Sequence, residues 1–319
     1  MYNVTEDVPV KSLKLLTRNK SDDNAENIEE MLEIAKAGSS SGDDFKIGVL
    51  LKEFKSNDNA WEGSNLAGWK KALKSDSLTK VVDVTGGISL AMAVKDQLEL
   101  VLFKKSSVLS NKVLKHGFVP KIEDIIDDDA KVTHKKLAAD IEGIIKDPSK
   151  IKLNVPKESV ESCYFPIVQS GGVCRNKYVK FDVITVSLGA RYCSYSSKII
   201  RTFFVDVPEQ VSKTYKTLLG VHEACLKAMV PGKPFNHVYA AAVKYLVDEG
   251  MGDLVSCLPK NLGSAVGIGF CDTHLLCLNA KNTVTFKLGM VVSLVVSFAG
   301  LELSESARSS LNSKSAVST

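Results

Sequence analysis

The residues best suited to chemistry lie in the second half of the chain. Cys271, His274 and Cys277 spell C-x-x-H-x-x-C, and thiolates with an imidazole are donor types that zinc favours. A zinc site needs a fourth ligand, which the neighbouring residues do not offer, and a spacing of three in a strand-like stretch sends side chains to different faces. The motif is therefore not read as a metal site. His222 stands among Val211, Tyr215, Leu218, Leu219, Leu226 and Met229, apolar residues at helical spacing, and reads as a core histidine with a satisfied ring nitrogen. Gly267-Ile268-Gly269 is at most half of a phosphate loop, because no full glycine pattern precedes a helix. Ser170-Gly171-Gly172 lacks the strand-to-helix elbow that exposes a nucleophilic serine. Asp127-Asp128-Asp129 offers charge for a cation or a basic partner, but reads as a solvated helix end.

Those residues must be held by a folded chain, and the composition provides for one. Hydrophobic residues make up 45% of the 319 and charged ones 24%, with a formal charge of +4, so burial outweighs self-repulsion. The length suits two domains at about 150 residues each. The longest apolar run, Met290 to Ala299, is broken by Ser293 and Ser297 and is too short for a membrane helix. The opening residues, with Glu6 and Asp7 and no apolar core, do not suggest a signal or transit peptide. The 7 cysteines include no C-x-x-C pair, so free thiols in a reducing compartment are expected. Lysine pairs such as Lys70-Lys71, Lys104-Lys105 and Lys135-Lys136 are dispersed, unlike the dense basic stripe of a nucleic-acid site.

Periodicity then supplies the elements. In the first half, Ser12 to Thr17, Ile47 to Leu51 and Val81 to Val84 read as strands, the last followed by Gly86-Gly87. Ile28, Met31, Leu32 and Ala35, and the run Leu66 to Leu73, read as helices between them. This is βαβαβ punctuation, and it predicts a small α/β subdomain with a parallel sheet whose opening strands are incomplete. From Lys95 to Asp147 the chain reads as helical: Leu98, Val101, Leu102, Val108, Leu109 and Val113 form one stripe, and Leu137, Ile141 and Ile144 another, with Ile122, Ile125 and Ile126 set among acids. Asp147-Pro148-Ser149 breaks that run and is expected to mark a domain boundary. Beyond it, Val183 to Leu188, Arg191 to Tyr195 and Arg201 to Val207 read as a meander hinged on Gly189. Two helices follow, the first ended by Pro231-Gly232 and the second marked by Val238, Ala241, Ala242, Tyr245 and Leu246. Strands return at Gly267 to Phe270, Leu275 to Leu278, Val284 to Phe286 and Val291 to Phe298, giving an α+β domain with helices on a curved antiparallel sheet.

Residues 187–203, S-L-G-A-R-Y-C-S-Y-S-S-K-I-I-R-T-F, carry the strongest pattern. They resemble the central signature of the creatinase/aminopeptidase ("pita-bread") family, D-x-G-A-x-Y-x-x-Y-x-S-D-x-x-R-T-F. In that family the two aspartates, with a histidine and two glutamates, hold paired divalent metals that generate a nucleophilic hydroxide. The resemblance puts Ser187 and Lys198 at the aspartate positions. Gly267-Ile268-Gly269 looks like the H-G-I-G turn, with Val266 at the histidine, and Gly289-Met290 looks like G-M-x-x-x-x-E, with Val295 at the first glutamate. The polar run Ser304 to Thr319 does not resemble the strand that bears the second. Thr273 stands where the peptidases carry a substrate-facing histidine. A hydroxyl, an ammonium and two isopropyl groups cannot hold a divalent ion in place of carboxylates and imidazole, so hydrolysis by the family mechanism is not expected.

Within the family the chain is similar to the non-peptidase N-terminal domains of the large subunits of FACT histone chaperones. The similarity is carried by residues 164–172 (Y-F-P-I-V-Q-S-G-G), by Gly189-Ala190-Arg191-Tyr192 through Arg201-Thr202-Phe203 to Asp206, by Lys260-Asn261-Leu262-Gly263, and by Leu278-Asn279-Ala280-Lys281-Asn282, with Ala93-Val94-Lys95-Asp96 opening the helical part. The organisation this implies is a creatinase-N-like α/β subdomain over 1–94, a helical lead-in over 95–150, an α+β pita-bread domain without metal ligands over 151–303, and a polar tail over 304–319. Departures lie at Gly269-Phe270-Cys271-Asp272-Thr273, where the relatives read G-L-E-F-R, and at Tyr195-Ser196-Ser197-Lys198, where they read Y-C-S-N.

The expected function is a catalytically inactive, nuclear, chromatin-associated module with no cofactor, acting in transcription, replication and repair. Core histones and an HMG-box-containing FACT subunit are its partners by resemblance, and Ser187, Tyr195, Lys198, Arg201 and Thr273 are its candidate peptide contacts. No dimerisation domain, middle domain or acidic tail is read in this chain, which suits a fragment or a truncated paralogue and predicts weak histone contact. Two other readings compete: a divergent metal-dependent aminopeptidase or prolidase with a displaced site, and a degenerate paralogue that retains no partner.

Overall fold

A computed structural model describes residues 16–17, 24–37, 45–49, 68–74, 79–170, 173–174, 183–205, 207–267, 276–298 and 312–318. Its contacts divide the chain into two units, Met1–Gly86 and Gly87–Thr319.

In the first unit, α1 (Ala25–Ala37) turns Ile28 and Leu32 inward, while Met31 is exposed. Residues i and i+4 share a helix face, so those two suffice to dock it. Strands β1 (Phe45–Val49) and β2 (Thr79–Asp83) pair in parallel, with Ile47 opposite Val81. A parallel pair requires a crossover, and the helix α2 (residues 68–74), with Leu73 buried, lies within it. The small parallel sheet is thus as expected. Of the strand expected at Ser12 to Thr17, only Leu16 and Thr17 are described, and neither is in a strand. Gly86-Gly87 falls within α3 (Thr85–Ala91), whose first N–H, on Thr85, donates to the Asp83 carboxylate at 2.9 Å.

The second unit begins at Gly87, within α3, and continues into α4 (Gln97–Val113). Asp96 caps it and Glu99 reaches back to the Asp96 N–H, a reciprocal pair that satisfies two backbone donors. Its buried face is Phe103, Ser106, Leu109, Ser110 and Val113. This corrects the stripe expected from hydrophobicity, since Leu98, Val101 and Val108 are 68%, 46% and 52% exposed. The serines go inward because the sheet beneath offers them hydrogen-bond partners. A π-helical turn (Leu114–Phe118) carries the chain into α5 (Val119–Asp127), and Asp127, Asp128 and Asp129 end that helix exposed to solvent. Thr133 caps α6 (His134–Lys146). Asp147-Pro148-Ser149 ends α6 but divides nothing: the helices before it and the strands after it share one core.

That core joins α4, α5 and α6 to a four-stranded antiparallel sheet, in the order β5 (Val173–Cys174), β4 (Ile167–Ser170), β6 (Val183–Leu188), β9 (Ile199–Phe204), and to a three-stranded sheet, β3 (Val160–Ser162), β7 (Ala190–Tyr192), β8 (Tyr195–Ser196). Gly189 is not the hinge of a hairpin. β6 pairs with β4 and β9, whereas β7 pairs with β3 and β8, so at Gly189 the chain passes from one sheet to the other. The hairpin lies at Cys193-Ser194, both at positive φ, the handedness that a two-residue turn needs to follow strand twist.

A second core packs α7 (Glu209–Ala228) and α8 (Asn236–Asp248) on the sheet β10 (Gly263–Ala265), β11 (Val292–Ser297), β12 (Asn312–Ser318). His222 is buried on α7. The last strand is a second correction: part of the expected polar tail pairs antiparallel with β11, because main-chain bonding does not require apolar side chains. Val284 to Phe286 is no strand and contributes one isolated bridge, Thr285 to Pro234. Cys163, Cys193, Cys225 and Cys257 are free thiols.

Candidate functional site

Ser187 lies on β6, opposite Ile200 of β9 and Ile167 of β4. Lys198, half-buried, immediately precedes β9, so of the two positions that resemble metal aspartates one is on β6 and the other at the entry to the neighbouring strand. Where a carboxylate would stand, the Ser187 hydroxyl is 2.7 Å from the Tyr164 phenol oxygen. Burial pushes the Tyr164 pKa well up, more than the Ser187 hydrogen bond pulls it down, so this pair is two neutral hydroxyls.

Val266 follows β10, donates its N–H to the Val291 carbonyl at 2.9 Å, and packs with Phe103 and Val291 in a small apolar cluster. Tyr195 closes this cluster edge-on, its ring centroid 5.1 Å from that of Phe103, and its hydroxyl donates to Glu99 at 3.0 Å. The structure therefore brings Val266 and Tyr195 together around Phe103. Val295 is in β11, opposite Ser315 of β12, and its N–H donates to the Leu262 carbonyl at 2.7 Å. The strand β12 contains no aspartate or glutamate. Arg201 pairs with Val186 rather than Ser187, donates to the Ile200 carbonyl at 2.8 Å, and has its pKa lowered by burial, against a raising effect from Tyr215. Thr273, Cys271 and His274 lie outside the described residues, whereas Cys277 is a buried thiol.

The other motif segments are architectural. The Leu262 N–H donates to the Leu278 carbonyl and the Leu278 N–H to the Gly263 carbonyl, both at 2.8 Å, tying the two asparagine-bearing segments together. Asn261, Asn279 and Asn282 each accept a backbone N–H two residues on, the local turn that asparagine favours.

Comparison with known proteins agrees with this geometry. The model of metallopeptidase family M24 matches residues 102–308, and that of the FACT complex subunit SPT16 N-terminal lobe domain matches residues 3–87. The solved N-terminal domain of FACT complex subunit SPT16 from chickpea aligns over 94% of this chain and 71% of that one, with a TM-score of 0.84 and 32% identity. The chain belongs to metallopeptidase family M24, among its SPT16 N-terminal domains. FACT complex subunit SPT16 of Oryza sativa subsp. japonica is 36% identical over 299 residues, which cover 90% of this chain and 27% of the relative. The Dictyostelium discoideum relative is 37% identical over 292 residues, 89% of this chain and 26% of that one. The chain thus spans about a quarter of the length of these curated relatives. A prolidase from Thermococcus sibiricus, 19% identical, shares the pita-bread fold with a TM-score of 0.66 over 91% of this chain and 69% of that one.

The M24 fold implies a pair of metals, and the residues here do not fit them. Ser187 and Tyr164 satisfy each other, Val266 and Val295 have no lone pair to offer, and the Lys198 ammonium repels a cation. Among the described residues, no three His, Cys, Asp or Glu side chains gather where they could hold a metal.

Sequence reading missed the polar groups buried beside this site. Ser106, Ser110 and Ser197 form a hydroxyl cluster: Ser197 Oγ is 2.9 Å from Ser106 Oγ and 2.7 Å from Ser110 Oγ, and the Ala190 N–H donates to Ser110 at 3.0 Å. His134 Nε2 pairs with the Ser170 hydroxyl at 2.8 Å. The available signal was the helical spacing of Ser106 and Ser110 with Phe103 and Val113.

Proposed function

We propose that this chain is a catalytically inactive pita-bread module of a FACT-type histone chaperone. It binds a histone or another chromatin peptide in the nucleus, next to an HMG-box-containing subunit, during nucleosome reorganisation in transcription, replication and repair. The observation that carries this reading is the replacement of metal ligands within a retained fold: Ser187 is bonded to Tyr164, and Val266 is packed under Tyr195. The SPT16 relatives supply the chromatin context.

Ser187, Tyr195, Lys198, Arg201 and Thr273 are the proposed peptide contacts. Lys198 and Arg201 do not attract a basic histone tail, so affinity rests on hydroxyl, aromatic and main-chain contacts and is modest. Titration of core histones against the chain at two salt concentrations tests the proposal. Saturable binding that holds or strengthens slightly as salt rises, because screening relieves the repulsion between Lys198, Arg201 and a basic tail, is expected; no saturation at either salt concentration would overturn it. Elemental analysis with a prolidase assay in added manganese, cobalt or zinc is the companion measurement, and stoichiometric metal with turnover would replace this reading by the peptidase one.

A further inference from the structure

Helix α4 has a second apolar face, opposite the one that packs on the sheet. Val101, Lys104, Lys105, Val108 and Lys112 recur at intervals of three and four residues and so share one side of the helix. Val101 and Val108 are about half exposed there. Scattered apolar residues on a surface need no explanation. Here, however, the two valines form the wall of a concave groove of about 430 Å³, completed by Leu153, Val155 and Tyr192. Among the described residues, Lys104, Lys105 and Lys112 line it and no carboxylate does, and Lys105 Nζ lies 5.3 Å from the centre of the Tyr192 ring.

This combination selects its occupant. An apolar floor favours leucine-like or aromatic side chains, and three ammonium groups favour carboxylates beside them. A basic histone tail is repelled by the lysines. Duplex DNA would satisfy the lysines but has no apolar side chains to fill the floor. We propose that this groove docks an acidic peptide segment of a partner protein, one that carries leucine- or phenylalanine-type anchors between its carboxylates. The proposal is independent of the histone reading, because it uses none of the residues assigned to that contact.

The test is fluorescence anisotropy of the whole chain with a labelled synthetic peptide of Glu and Asp interspersed with Leu and Phe. Controls are the same peptide with Ser in place of Leu and Phe, a version with Lys in place of the acids, and a labelled DNA duplex. Saturable binding of the first peptide alone is expected. Joint K104E, K105E and K112E substitution should weaken it roughly tenfold or more, and joint V101S and V108S substitution roughly tenfold. All five positions are on the open face, and circular dichroism checks that the variants keep their fold. In the unmodified chain, the peptide should protect amides of α4 and residues 153–156 from hydrogen exchange. No saturation at low salt, equal binding of the serine peptide or the duplex, or protection elsewhere would overturn the proposal.

Discussion

Replacing Ser110 with alanine tests how α4 is fastened to the sheet. The Ser110 hydroxyl accepts the Ala190 N–H at 3.0 Å and lies 2.7 Å from Ser197 Oγ. Ala190 is fully buried, so water cannot take the place of the lost acceptor. Stranding one buried donor costs about 1–3 kcal/mol, and losing the hydroxyl–hydroxyl bond about 1 more. Ser197 keeps Ser106 and the Ala190 carbonyl as partners, which limits the second cost. Alanine suits a helix better than serine by about 0.5 kcal/mol, which offsets part of the loss. The net expectation is a destabilisation of about 1.5–3.5 kcal/mol. The assay is urea unfolding followed by far-UV circular dichroism. Fluorescence is a poor probe, because Trp61 and Trp69 both belong to the first unit. Ser107→Ala, three residues earlier in the same helix and only half-buried, should stay within about 0.5 kcal/mol of the parent. A Ser110→Ala midpoint equal to the parent's at unchanged slope, or an equal loss in Ser107→Ala, would refute the account of the hydroxyl cluster.

Two more outcomes follow from buried groups near the sheets. A Cβ at Gly189 would lie 2.6 Å from the Ser197 carbonyl oxygen and 3.0 Å from the Tyr164 ring, so Gly189→Ala should cost about 1–3 kcal/mol, read from the urea midpoint; an unchanged midpoint would show that the crossing between sheets opens freely. Burial lowers the His134 pKa below 6.5, so the unfolded chain binds a proton more readily than the folded one in the window beneath that value. Stability should therefore be full above about pH 6.5 and decline as pH falls towards the depressed folded value. His134→Gln should flatten that decline in thermal melts across the same window, and an identical slope in the variant would assign the pH response to other groups.

Much of the candidate site was legible because its chemistry resides in residue types. A serine, a lysine and two valines lack the carboxylates and imidazole that hold a pair of divalent ions, and their spacing around Gly189-Ala190-Arg191-Tyr192 and Gly289-Met290 marked them as positions that resemble metal ligands. Helices were legible where a single apolar face determined them, as in α6, where Leu137, Ile141 and Ile144 are all buried. The reading failed where a partner distant in the chain decided the outcome. Apolar content assigned Val101 and Val108 to the core of α4, yet Ser106 and Ser110 are inside because Ala190 and Ser197, 80 or more residues away, hydrogen-bond with their hydroxyls. The sheet change at Gly189 and the pairing of Asn312–Ser318 with β11 are of the same kind, since main-chain donors pair with whichever strand is placed opposite. Composition and order alone thus supplied which residue types stand at the positions that resemble metal ligands. Only the folded chain decided which hydroxyls are buried, where the polypeptide passes between sheets, and that a lysine-lined apolar groove is left open on α4, because those outcomes depend on contacts between segments that no local pattern records.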